Sequence, residues 1–301
     1  MTDSMRPHFR LRRAVPGAVA VLALAAAALA LPGTAAPAVA GRPTSGDSCG
    51  ATVLKADGTP WTCTFTDNFS DTKLDTTKWT VGVTATSGFV MGKTCFTADN
   101  VVEKGGELRL TTRNVGQPFT CSSPYGSFTT SYTGAHVGTV GKWAQAYGRY
   151  DVRARYPKSG SGLHGGYWLY PAKLTYGAWP ASGEIDVAEW WSSVPTTVLP
   201  TLHYSGSTQA DSGSACTVAD PTVWHDYALV WEPTQMQFSI DGQVCFTDSW
   251  TPNSPLVAPQ PFDQPFNIIM NMAVDDTTNN AVTSTTTLPA TYEVDYVKAW
   301  K

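Results

Sequence analysis

The sequence predicts an all-β sandwich, and three observations predict it. Beyond the first forty residues no 3.6-residue apolar period is sustained, short runs of alternating apolar and polar residues recur, and Gly, Pro, Asn and Asp separate them. Alternation buries one face of each strand, and two such faces packed together make a sandwich.

The N-terminal segment stands apart. Arg6, Arg10, Arg12 and Arg13 precede an unbroken apolar run of 14 residues, 18–31, and Ala38-Val39-Ala40 offers a small-x-small cleavage site. Residues 1–40 are therefore expected to be a secretory signal peptide, residues 41–60 a small, polar, extended lead, and residues 61–301 one domain. The apolar run falls short of the ~20 residues of a membrane span, so no membrane partner is expected. Residues 1–40 hold four of the 20 basic and one of the 24 acidic residues, which leaves 16 and 23, a net charge of −7. Such a balance argues against nucleic acid and anionic lipid and favours a neutral polymer, bound by a secreted, extracellular monomer.

Six cysteines agree with an oxidising destination, and without any C-x-x-C spacing they do not suggest zinc. They permit 15 pairings. The simplest takes them in order: Cys49 with Cys63, Cys95 with Cys121, Cys216 with Cys245.

Strands follow from local pattern. Residues 100–102, the pair Gly105-Gly106 and residues 107–112 read as a hairpin with Leu108 and Leu110 on one face. Residues 147–157 alternate Tyr150, Val152 and Ala154 with Arg149, Asp151, Arg153 and Arg155, the pattern of a strand with one solvated face. Asp241-Gly242 between residues 238–240 and 243–246 predicts a type I′ turn.

Residues 183–191, GEIDVAEWW, carry three acids. Simple alternation directs Glu184 and Asp186 to one face and Glu189 to the other. A β-bulge near Val187 and Ala188 would return Glu189 to the same face. The two glutamates would then lie about 13 Å apart at Cα, and inward-leaning side chains can bring their carboxyls within ~5–6 Å, the separation of a retaining glycosidase. A charged edge strand and part of a calcium site are the plain alternatives. The apolar Ile185, Val187 and Ala188 and the following Trp190-Trp191 weigh against them.

The hexapeptide EIDVAE resembles the signature of glycoside hydrolase family 16 in its bulged form, that of the laminarinase (endo-β-1,3-glucanase) branch. The resemblance runs over about residues 61–301. It includes FTDNF at 65–69, the Asn100 strand, GLHGGYWLYP at 162–171, Trp179-Pro180, TLHY at 201–204, PFNIIMNMAV at 265–274 and EVDYVKAW at 293–300. It implies a jelly roll of two curved antiparallel sheets, of the concanavalin A-like type, with an open groove. By resemblance Glu184 is the nucleophile, Glu189 the acid/base and Asp186 the group between them. Trp168, Trp179, His203, Asn271 and Asn100 are the implied substrate-binding residues.

The implied function is retaining endo-hydrolysis of a β-linked polysaccharide, foremost a β-1,3-glucan. Mixed-linkage β-glucan, a β-galactan or agarose, transglycosylation and a non-catalytic lectin are the alternatives. No cofactor is required; a structural calcium is the one ion the resemblance leaves open, with Asn68 at the position of a usual acid. His164 stands where the family's first cleft tryptophan falls, and Asp275-Asp276 departs from the usual Gly-Gly.

Overall fold

A computed structural model describes residues 47–301. The signal-peptide expectation and the start of the lead, 41–46, lie outside the described residues. Among the described residues fifteen strands follow in chain order: β1 (Cys63–Asp67), β2 (Thr80–Val81), β3 (Thr94–Phe96), β4 (Val101–Glu103), β5 (Leu108–Cys121), β6 (Phe128–Gly138), β7 (Gly148–Arg155) and β8 (Leu163–Pro171). Next come β9 (Glu184–Trp191), β10 (Val198–His203), β11 (His225–Trp231), β12 (Met236–Ile240), β13 (Gln243–Asp248), β14 (Phe266–Val274) and β15 (Ala290–Trp300).

Hydrogen bonds join the strands in the order β10-β9-β8-β14-β6-β5-β15-β7-β11-β12-β13. The path folds over into two layers of a sandwich because β5 and β6 serve both layers. The first part of β5 pairs with β15 and β4, and its second part, from Arg113, pairs with β6. The end of β6 then pairs with β14 in the other layer. Among the described residues every strand pairing is antiparallel except β3 with β6.

The layers are held by alternation. Along β14, Phe266, Ile268, Met270, Met272 and Val274 belong to the core, as do Leu163, Tyr167 and Leu169 of β8. Aromatic rings bridge the layers: Tyr156, just beyond β7, stacks on Trp190 of β9 at 4.9 Å and on Tyr292 of β15 at 4.6 Å, while Trp231 of β11 meets Phe266 of β14 at 5.2 Å. Burial of such rings supplies most of the driving force for pairing the sheets.

Both expected hairpins form. Asp241 and Gly242 each have positive φ, 50° and 77°, as a type I′ turn requires. The charged face of β7 is laced by Arg153–Asp295 at 2.7 Å and Arg155–Glu293 at 2.6 Å. The cysteines pair in sequence order, Cys49–Cys63, Cys95–Cys121 and Cys216–Cys245.

Candidate active site

The site is built on β9, and its parity depends on one bulge. Trp168 of β8 pairs with Asp186 and the preceding Tyr167 with Ala188, so Val187 is the extra residue. On the other side β10 shows the same shift between Leu199 and Thr201. Ile185, Val187, Ala188 and Trp190 consequently enter the core, while Glu184, Asp186 and Glu189 line one cavity on the opposite face. The bulge is backed from inside: Tyr156 donates its hydroxyl to the Ala188 carbonyl at 2.8 Å.

Neighbouring strands bring the remaining groups by register. His203 of β10 is the direct partner of Glu184. Its Nε2 lies 3.0 Å from Asp186 Oδ2, close enough for an ion pair but off the line of a hydrogen bond, so that buried oxygen has no aligned donor. One ligand-type atom each of Glu184, Asp186 and His203 lies within 4.8 Å of the others. Trp179, more than half exposed, holds its ring 5.7 Å from that of His203. Across β8, Gly166 faces Glu189 and Asn271 of β14 faces Gly166. With no side chain at Gly166, the sheet surface is open between Asn271 and Glu189. His164 spans that gap, its Nε2 2.8 Å from Glu189 Oε1 and its Nδ1 3.2 Å from Asn271 Nδ2. Trp168 donates its indole N–H to Asn271 Oδ1 at 2.8 Å.

The electrostatics follow from crowding. Burial and then the charge of Asp186 push Glu184 up to about 9, against the opposing effects of His203 and a hydrogen bond from Trp179. The same two causes raise Glu189, opposed by His164 and His203. For His203, burial acts downward, but the close approach and charge of Asp186, with Glu184 and Glu189 beyond, carry it up to about 9. The set retains protons near neutral pH and ionises stepwise rather than at once.

Of the residues expected from sequence, Glu184, Asp186, Glu189 and Trp168 share the cavity lining; His203 and Asn271 touch members of that set, and Trp179 lies against His203. Asn100 is not brought to it. Its side chain is buried beside β5, where Oδ1 accepts from Arg113 Nε at 3.0 Å, and it lines no part of the acid cavity. Three lining residues were not foreseen as site residues: His164, Phe89 and Met91. His164 shares parity with Trp168 along β8, a signal readable in sequence; Phe89 and Met91 lie in a segment with no such pattern.

Around Asn68 the residues do not fit a calcium ion. Lys78 pairs with Asp47 and sets its ammonium 3.8 Å from Asp67 Oδ2 and 3.7 Å from Asp75 Oδ2. Asp67 also accepts from Phe69 N and Trp79 Nε1, both at 2.8 Å. A protein cation already occupies the position among these oxygens that an oxygen-seeking ion would need.

Two glutamates flanking an aspartate on the open face of a β-sandwich, with an exposed indole beside them, are the equipment of a glycosidase-class protein. The chain belongs to glycosyl hydrolases family 16, which it matches over residues 91–298. It is 31% identical over 263 residues to glucan endo-1,3-beta-glucosidase A1 of Niallia circulans, across 78% of this chain and 37% of that protein. To a beta-glucanase of Rhodothermus marinus it is 34% identical over 183 residues, across 56% of this chain and 63% of the relative. The chain thus spans less than two thirds of the length of either. The structure of the laminarinase from Rhodothermus marinus matches with a TM-score of 0.64 at 30% identity, over 80% of this chain and 97% of that one.

Proposed function

We propose that this chain is a secreted, retaining endo-β-1,3-glucanase that needs no cofactor and works as a monomer. The observation that carries the reading is the convergence of Glu184, Asp186 and Glu189 on one cavity through the bulge at Val187. The kinship with β-1,3-glucan-cleaving enzymes supports the substrate.

In this reading Glu184 attacks the anomeric carbon while Glu189 protonates the departing glycosidic oxygen. A glycosyl ester on Glu184 results. Glu189, now a carboxylate, takes a proton from water, and the hydroxide equivalent releases the sugar with its configuration retained. The nucleophile must be ionised to begin, and burial opposes this. His203 and the Trp179 hydrogen bond act in the required direction, and the positive charge growing at the anomeric carbon favours the anion further. Asp186 holds His203 in its charged form beside the nucleophile. Trp179 offers its exposed ring to the apolar face of a pyranose.

Incubation of the mature protein with laminarin, barley mixed-linkage glucan, agarose and a β-galactan tests the reading, with reducing ends and product size followed. Internal cleavage of laminarin is expected. Action confined to a galactan would replace the substrate and keep the mechanism; a folded protein inert on all four would remove the enzymatic reading.

A further inference from the structure

Four side chains on one face of the sheet form a chain of hydrogen bonds whose directions are dictated end to end. Trp168, Asn271 and His164 are each at least nine-tenths buried. An indole N–H can only donate, so the Asn271 atom 2.8 Å away must be the carbonyl oxygen. The reverse amide orientation would set two donors against each other. The Asn271 amide nitrogen therefore faces His164 Nδ1 at 3.2 Å, with Met91 Sδ as its second acceptor at 3.4 Å. Facing a donor, Nδ1 must carry a lone pair. The ring proton then belongs to Nε2, which points at Glu189 Oε1 from 2.8 Å.

We infer that His164 is a positioning residue for Glu189: the run from Trp168 through Asn271 locks its imidazole as the neutral Nε2–H tautomer, which occupies Oε1 and confines the reacting proton to Oε2. The proposal rests on the assignment of Glu189 as acid/base. A carboxyl group with one oxygen accepting a fixed N–H presents its acidic proton on the other oxygen. Once that proton has passed to the leaving group, the same N–H stabilises the carboxylate that must serve as base in the second step. No proton leaves His164 in either step, so atoms and charge balance within the glutamate, substrate and water.

The surroundings of Glu189 define the comparison. It faces His164 from β8, His203 from β10, and Glu184 and Asp186 along β9; Tyr156, whose hydroxyl is given to Ala188, lies beneath. Among these only His164 makes a direct hydrogen bond to it, so replacing His164 removes the aligned donor and leaves the like charges in place.

His164→Phe keeps a ring against Trp191, 5.2 Å from His164, and deletes the donor. With the stabiliser of the ionised form gone, Glu189 holds its proton to higher pH. The alkaline limb of kcat/KM is expected to move up by about one pH unit, and kcat below neutral pH to fall about tenfold, with KM changed far less. His164→Gln, which can still present an N–H, should return the limb toward wild type; a merely structural role predicts no such return. Imidazole 15N spectra of the wild-type protein, with His164 assigned by its loss in the Phe variant, should show a neutral Nε2–H ring. An Nδ1–H or protonated ring would overturn the relay, and an unmoved pH profile in a folded Phe variant would overturn its coupling to Glu189. The spectrum needs no substrate, so failure of the glucanase reading and failure of the relay are separately visible.

Discussion

Replacing Glu189 by Gln separates the acid from everything else at the site. The amide is isosteric, and its oxygen can still accept from His164 Nε2, now 2.8 Å from Oε1. What disappears is the transferable proton of the acid form and the negative charge of its conjugate base beside Asp186. General acid–base assistance contributes roughly 10²–10⁴-fold, so hydrolysis of the polymer should fall by that factor, about 3–5 kcal/mol of barrier. The lost charge acts the other way on the nucleophile. Glu189 is one of the groups that raise Glu184, so its removal eases ionisation there. A dinitrophenyl glycoside, whose leaving group departs without a proton, should therefore form the glycosyl-enzyme at close to the wild-type rate and then stall, because no base activates water. Stopped-flow measurement should show a burst of phenolate equal to the enzyme concentration, followed by slow turnover that azide accelerates with formation of a β-glycosyl azide. The same loss on polymer and activated glycoside, or undiminished cleavage of polymer, would refute the role of Glu189.

Three further outcomes follow from the same geometry. Tyr156→Phe leaves the ring stacked between Trp190 and Tyr292 but strips the Ala188 carbonyl of its donor, so denaturant titration should show a loss of about 1–2 kcal/mol, and kcat should drop more than KM rises as the bulge relaxes. Trp179→Ala removes an exposed platform and a donor to Glu184 without touching the core; steady-state kinetics on laminarin should show KM raised about tenfold, roughly 1.4 kcal/mol, with melting temperature unchanged. Glu103 is buried near Asp67 and Asp71, and desolvation followed by those charges pushes it up to about 7. Its ionisation therefore opposes folding increasingly as pH rises from the unfolded-state value near 4.5 through 7, and Glu103→Gln should exceed wild type in stability at pH 8 by on the order of 1–2 kcal/mol, with the gain gone by pH 4.

What could be read from the chain and what could not divide along a physical line. Parity within one strand is written in the sequence: three acids spaced two and three residues apart cannot share a face unless a residue is extruded, and Val187 is extruded. The hairpin at Asp241-Gly242 is legible for the same reason, since its backbone demand is local. Register between strands is not local. That Asn271 falls opposite Gly166, and Gly166 opposite Glu189, depends on how β14, β8 and β9 slide past one another, and His164 acquires a role only when that row is set. Asn100 shows the converse, because the amide oxygen of a site-like asparagine just before a strand is turned to Arg113, away from the acids. Met91 is the hardest case. It reaches the cavity because the turn at Gly92 lies against the backbone of Asp275, so closely that a Cβ there would meet the Asp275 carbonyl at 2.2 Å, while Thr94 exchanges hydrogen bonds with Val274. A side chain at position 92 would push this turn outward, taking with it the sulfur that accepts from Asn271. The amide of Asn271 would then keep the indole and the imidazole as its partners, so the lock on His164, which those two bonds make, rests on the strands that carry them rather than on the turn at Gly92.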